Sequence, residues 1–173
     1  MDVWQAITTQ RAVRSFADRP LEPEHLDRIL RAGRRAPSSK NEQRWAFVVC
    51  ADRERLRALS RVGPYAGHLA GAAAGIALVT PDAGESGKAE SIAFDLGQCA
   101  HTMMLAAWEL GIGSVHATVY EEDLVRDILG YPESRVCPYV ISFGYPADPD
   151  ELARPLEKGG RKPLDELVHH ERW

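Results

Sequence analysis

SIAFDLGQCAHTMMLAAWELGIGS, residues 91–114, is the longest run in this chain able to form one buried helix. Apolar residues recur at Ile92, Leu96, Cys99, Met103, Ala106 and Leu110, and again at Leu105, Trp108 and Ile112, so apolar surface wraps most of the cylinder. A helix of that kind belongs in the middle of a domain. Asp95, Gln98, Thr102 and Glu109 stand at spacings of three, four and seven and share one narrow stripe, and Gly111 and Gly113 end the helix. About 20 apolar residues suffice for a membrane span, but Asp95, His101 and Glu109 weigh against that reading. His101 reads as a core or interface histidine, since no second His, Cys or carboxylate stands at ligand spacing on its face, and no metal is expected. The helix is scaffold, and the chemistry must lie elsewhere.

A chain of 173 residues fits one domain, or one protomer of an obligate dimer, with a sizeable core. Its net charge of -4 is unevenly spread: residues 1–61 hold 13 Lys/Arg against 8 Asp/Glu, and residues 62–173 hold 8 against 17. The basic part suits an anionic ligand, although Arg53, Arg55, Arg57 and Arg61 equally suit the wet face of an amphipathic helix. Cys50, Cys99 and Cys137 are odd in number, far apart and set in apolar segments, which fits buried thiols in a reducing compartment and not disulfides or a zinc site. MDVWQAITTQ, residues 1–10, has neither the basic start nor the apolar core of a secretory signal, so the cytoplasm is the expected location.

Asp2 with Gln5 predicts a capping box opening a short helix with Val3 and Ile7 on one face. Pro23 opens a second helix, with Leu26, Ile29, Leu30 and Gly33 on its buried side, and Pro37 stops it. Residues 38–43 form a polar loop feeding a strand over 45–50, and Asp52 caps an Arg-rich helix reaching about residue 61. Strands are further expected over 75–80, 114–119 and 136–143, with Pro138 near a strand start or on an unpaired edge, and an acidic-starting helix over 121–129 is closed by Gly130. Residues 81–90, PDAGESGKAE, read as a surface connection or a flap over a site. Residues 145–173 have too little apolar sequence to pack on themselves and must lie against something. Without regular βαβ alternation, GxGxxG or GxxxxGK[ST], the pattern predicts an α+β domain: a central, mostly antiparallel sheet of four to five strands flanked by helices.

Three clusters suit an anionic, planar ligand. Arg11 and Arg14 follow a helix end, and guanidinium groups are always charged and donate parallel hydrogen bonds to phosphate. The run from Pro37 through Ser38, Ser39, Lys40, Asn41, Glu42 and Gln43 to Arg44 and Trp45 crowds short donors and acceptors into one loop, where they can meet the edge of a heteroaromatic ring or simply cap turns. Arg161 and Lys162, before Pro163, are cations in the unanchored tail.

In this order and at these distances the clusters resemble the FMN-dependent nitroreductase family. QRAVRSF, residues 10–16, is similar to the family's Arg-Arg-Ser-x-Arg-x-Phe, and APSSKNEQRW, residues 36–45, to its Ala-Pro-Ser-Ser-x-Asn-x-Gln-Pro-Trp; Asp95-Leu96-Gly97, Gly111-Ile112-Gly113-Ser114 and Arg161-Lys162-Pro163-Leu164 continue the match across nearly the whole chain. The resemblance implies one FMN-binding domain over residues 1–173, a homodimer with the long central helix at its interface, a tail over 145–173 wrapping the partner, and FMN between subunits. It implies that Arg11 holds the FMN phosphate or ribityl chain, that Arg161 closes on the phosphate with Lys162 able to compensate the charge missing at Gln10, and that Arg14 lies at the N1/O2 edge of the flavin, where a fixed cation stabilises the negative charge left by two-electron reduction. Ala12 matches a serine of the family's phosphate end. Pro37, Ser38, Ser39 and Asn41 would line the cofactor from the neighbouring subunit, and His116, Ala117 and Thr118 would lie along the isoalloxazine, with His116 facing substrate or packing for shape.

The activity so implied is reduction of nitroaromatic, quinone or similar electron-poor acceptors by NADH or NADPH in ping-pong order. Gln10 and Ala12 depart from the family pattern at the phosphate end, and Arg44 replaces a proline, adding charge beside the cofactor loop. Within the same fold, a dehalogenase, a flavin-fragmenting oxygenase, a peptide-modifying dehydrogenase or a flavin-storage protein stays open. A nucleic-acid-binding module fits poorly, because the arginines alternate with acids and no aromatic ladder accompanies them.

Overall fold

The computed structural model describes residues 1–84, 88–153 and 160–173. Helices α1 (Val3–Thr9) and α2 (Pro23–Arg34) precede strand β1 (Ala46–Cys50), helix α3 (Arg53–Leu59) and strand β2 (Ala74–Pro81); α4 (Ala89–Glu109), β3 (Gly113–Thr118), α5 (Glu122–Leu129) and β4 (Arg135–Gly144) follow. The strands form one antiparallel sheet in the order β1-β2-β4-β3. Both faces of the sheet are covered. Ile76, Leu78, Ile141 and Phe143 pack toward α2 and α4, whereas Ala77, Val79 and Val140 pack toward α3, α5 and the short 3₁₀ turn Gly67–Gly71. That double burial is why β2 reads as an unbroken apolar run and not as an alternating one.

Local signals set most boundaries. The Asp2 carboxylate accepts from the Gln5 backbone N–H at 2.8 Å and the Gln5 side chain returns the bond at 3.0 Å, completing the capping box of α1. Pro23 occupies the first turn of α2, Asp52 caps α3 through the Arg55 N–H, and Gly130 closes α5 with a left-handed φ of 72°. All three cysteines are free and buried, and burial pushes the Cys99 and Cys137 thiols up to about 12. Among the described residues no helix is long and apolar enough to cross a membrane.

The fold adds to two expectations and corrects one. Val3 and Ile7 share a face of α1, and that face is uncovered: Val3 is 74% and Ile7 49% exposed, and only Ala6 of the helix is buried. Pro138 sits on β4, an interior strand, where Cys137 and Pro138 oppose the single residue Val79 in a β-bulge. The bulge frees the proline from donating, and Glu122 accepts the displaced Cys137 N–H at 3.2 Å while also accepting from Tyr131 at 2.7 Å. The polar stripe of α4 is unevenly covered: Asp95 is 2% exposed, Gln98 and Thr102 are half-buried, and Glu109 is exposed and ion-paired to Arg28 of α2. Ala93, Phe94, Gly97 and His101 of α4 are exposed as well.

Asp95 ties the loop between α2 and β1 to the central helix. Its two oxygens accept from the Ser39 backbone N–H at 3.0 and 3.1 Å, and the Arg44 guanidinium, whose side chain is 12% exposed, stands 3.6 Å away. Arg44 also reaches Glu42 at 3.2 Å and donates to Ser91 at 3.1 Å, and Thr80 donates to its carbonyl at 2.7 Å. The loop so clamped holds Lys40, Asn41 and Gln43 at φ of 53°, 56° and 48°, a conformation that non-glycine residues adopt only when their surroundings impose it. Asp95→Ala, which strands the Arg44 charge, should destabilise the fold by about 3–5 kcal/mol in urea titration, and adding Arg44→Met should return part of that loss. A double variant no more stable than Asp95→Ala would show that the ion pair is not what Asp95 contributes.

Candidate functional site

Residues 10–16 reach the site by a short strand-like contact beyond the sheet proper. The Val13 N–H donates to the Ser114 carbonyl at 3.1 Å, and Ala12 and Ser114 form a parallel bridge at the start of β3. Extended backbone alternates its side chains. Val13 therefore points into the core, fully buried, and Ala12 and Arg14 point out. Gly113 makes the approach possible, since a Cβ there would stand 2.5 Å from Val13 Cβ. On β3 the same alternation leaves Val115 and Ala117 buried and turns His116 and Thr118 to the surface beside the arginines.

The result is a cleft of about 490 Å³ lined by Gln10, Arg11, Ala12, Arg14, Tyr65, Met104, Val115, His116, Ala117, Thr118 and Arg161. Its volume lies within the range of small-molecule sites. Three guanidiniums border it and, among the described residues, no carboxylate does. Arg11 makes only a 3.5 Å contact to the Thr9 carbonyl, and Arg14 and Arg161 have no hydrogen bond or ion pair among the described residues. Such a set is available to an anionic ligand. A second hollow of about 380 Å³ adjoins it, sharing Gln10, Met104 and His116 and adding the α4 residues Ala93, Leu96, Gly97, Ala100 and His101 with Tyr139.

Arg11, Ala12, Arg14, His116, Ala117, Thr118 and Arg161 thus meet in one place, although they span 150 positions of sequence. Arg161 reaches the cleft of its own chain. Lys162 is exposed but does not line it. Pro37, Ser38, Ser39 and Asn41 stand apart, in the loop clamped to α4, with Asn41 facing a different hollow beside Arg34 and Arg35. Arg44 is turned inward onto Asp95, so its charge does not add to the cleft. The flap suggested for residues 81–90 falls partly outside the described residues, as does part of the tail.

Two residues of this region carry no sequence signal. His68, in the turn Gly67–Gly71, approaches Ser142 with its Nδ1 2.8 Å from the hydroxyl, and Ser142 donates to the Val115 carbonyl at 3.2 Å. Burial, aided by the charges of Arg14 and His116, lowers the His68 pKa to about 4. A histidine inside a Gly- and Ala-rich turn offers no periodicity from which its partner on β4 can be read.

A model of the nitroreductase family matches residues 7–70 and 60–145. A protein of Archaeoglobus fulgidus provisionally named NADH dehydrogenase/NAD(P)H nitroreductase is 34% identical over 171 residues, covering 96% of each chain, and one of the same provisional name in Methanothermobacter thermautotrophicus is 33% identical over 178 residues, covering all of this chain and 88% of that one. Among solved structures, a protein of that provisional name from Bacteroides thetaiotaomicron has a TM-score of 0.83 at 30% identity, covering 98% of this chain and 97% of that one. An FMN-dependent nitroreductase from Clostridium difficile has a TM-score of 0.81 at 26% identity, covering 99% and 100%. The chain belongs to the nitroreductase family.

The depressed His68 pKa has a sign that stability measurements can check. Above pH 6.5 the imidazole is mostly neutral in folded and unfolded chains alike; between 6.5 and about 4 the unfolded chain takes up the proton and the folded chain resists it. Stability should therefore fall as pH drops through that window, and His68→Gln should remove that portion of the fall. A profile unchanged by the substitution would show that His68 titrates normally in the fold.

Proposed function

We propose that this chain is an FMN-dependent oxidoreductase that uses NADH or NADPH to reduce nitroaromatic, quinone or similar electron-poor small molecules. The observation that carries the reading is the cleft with Arg11, Arg14 and Arg161 around it, no carboxylate lining it among the described residues, and exposed β3 residues along it. An anionic, planar cofactor suits both features: guanidiniums for a phosphate, and the His116 to Thr118 segment for the side of a ring. Bound FMN supplies a two-electron carrier between nicotinamide and acceptor.

The residues act by position and charge. Arg11 and Arg161 hold the phosphate, and Arg14 keeps a permanent cation at the pyrimidine edge of the ring, where reduction adds negative charge. His116 borders both the cleft and the adjoining hollow, so it can touch whatever small molecule occupies the hollow. One hollow beside one cleft suits two reactants that use the same space in turn, the ping-pong order. The exposed Val3, Trp4, Ile7 and Phe94, with Leu164, Leu167 and the 99% exposed Trp173 of the tail, are apolar surface that a second copy would cover. A homodimer also brings a neighbour's Ser38, Ser39 and Asn41 within reach of the cleft, which the chain's own loop does not line. The single domain, with a tail that leaves its body, belongs to this reading.

The purified protein should be yellow, and its flavin absorbance should bleach anaerobically with NADH or NADPH. A protein that stays oxidised with both would support storage or another reductant, and a colourless one would overturn the flavin reading. Arg161→Ala should weaken FMN retention by about 1.5–3 kcal/mol in fluorescence titration, the range for a charge-assisted contact. Arg14→Ala should instead lower the two-electron potential of bound FMN; an unchanged potential would remove that role from Arg14.

A further inference from the structure

The loop that Asp95 clamps also walls a hollow of about 390 Å³, lined by Arg34, Arg35, Ala36, Asn41 and Gln43 and sharing no residue with the arginine cleft. Its charge is one-sided. Neither guanidinium has a hydrogen bond or ion pair among the described residues, and no carboxylate lines the hollow among them. The acids nearest to them in sequence are already taken: Asp27 pairs with Arg31 at 2.5 Å and Glu42 with Arg44 at 3.2 Å. The last carbonyls of α2, which carry about half a negative charge, offset only part of two full positive ones.

The two amides of the hollow are held in place. Gln43 Nε2 donates to Asn41 Oδ1 at 3.1 Å, which uses the amide oxygen of Asn41 and leaves its NH₂ as the free end. The Gln43 N–H donates to Ser38 Oγ at 3.0 Å, the Ser39 N–H is bound to Asp95, and Asn41 and Gln43 keep left-handed φ values that only fixed surroundings sustain. Two guanidiniums and an amide NH₂, with no acid among them, suit an anion that can only accept: a phosphate monoester. Gln43 Oε1 receives no donor among the described residues, so it can take a hydroxyl standing next to that phosphate on a sugar.

We propose that this hollow takes the 2′-phosphate of NADPH and so makes NADPH, not NADH, the preferred reductant. This rests on the flavin reading above and adds to it the choice of reductant. Arg11 and Arg161 already serve the flavin phosphate in that reading, which leaves the charge of Arg34 and Arg35 for another anion. Asn41 belongs both to this hollow and to the loop that a neighbour brings to the cleft, so in the dimer the hollow opens beside the flavin that the nicotinamide must reach. The 2′-phosphate is the one charged group that NADH lacks, and it sits on a ribose with a hydroxyl at the next carbon.

Two measurements decide it. In the protein without FMN, the guanidinium Nε–H signals of the arginines are followed by NMR as inorganic phosphate, adenosine 2′-monophosphate or adenosine is added. Arg34 and Arg35 should shift with both phosphates and not with adenosine; no shift, or shifts confined to Arg11, Arg14 and Arg161, would overturn the site and leave the flavin reading standing. In the FMN-loaded protein, KM for NADPH and for NADH is compared between the wild type and Arg34→Gln/Arg35→Gln. The wild type should have the lower KM for NADPH, and the double substitution should raise the ratio of KM(NADPH) to KM(NADH) about tenfold, as for two solvated ion pairs lost together. A wild type without that preference, or a ratio that the substitutions leave unchanged, would overturn the choice of reductant; phosphate shifts at Arg34 and Arg35 beside such a result would make the hollow a site for free phosphate only. A protein that takes up no FMN would sink the flavin reading and the reductant with it, while the NMR titration still decides whether the hollow binds phosphate.

Discussion

Val13 packed against Gly113 is the contact on which the site depends. A fully buried valine contributes about 1.5–3 kcal/mol of apolar transfer, and here that burial also fixes register. With Val13 inward and its N–H on the Ser114 carbonyl, residues 11–14 run alongside β3, and Arg14 has one side to face. A shift by one residue would bury the guanidinium and expose the valine. Arg11 and Arg14 are placed by an apolar contact and a backbone hydrogen bond, and neither is ion-paired among the described residues.

The central helix organises the other half of the molecule through a buried charge. Asp95 receives the Ser39 N–H and faces Arg44, so a loop with positive φ at Lys40, Asn41 and Gln43 is fixed to α4. In the proposed dimer this rigid loop is what one protomer presents to its partner's cleft. A loop meant to line a cofactor across a subunit boundary must be rigid before it arrives, because ordering it on binding would cost affinity.

Much of the fold was legible because its determinants are local. The capping box at Asp2, Pro23, the Asp52 cap and Gly130 mark helix ends within a few residues of themselves, and the apolar pattern of residues 91–114 announced the central helix. Pro138 was misplaced because a bulge is a property of two strands, and the Glu122 carboxylate that receives the displaced N–H comes from a helix. Arg44 reads in sequence as charge added beside the loop, since nothing around it names Asp95, 51 positions away, as its partner. The arginines of the cleft were legible through the order and spacing of their motifs. His68 and Ser142 were not, because their contact joins a turn to the middle of a strand across the sheet.

The central claim is that Arg11, Arg14 and Arg161 of one chain enclose the phosphate and ring edge of a flavin in a site completed by a second chain. Native mass spectrometry of the protein saturated with FMN tests it most directly. The account predicts a species of two chains carrying two FMN molecules, with the cofactor lost as the chains separate. A lone chain that retains FMN, or a dimer that takes up none, would contradict it.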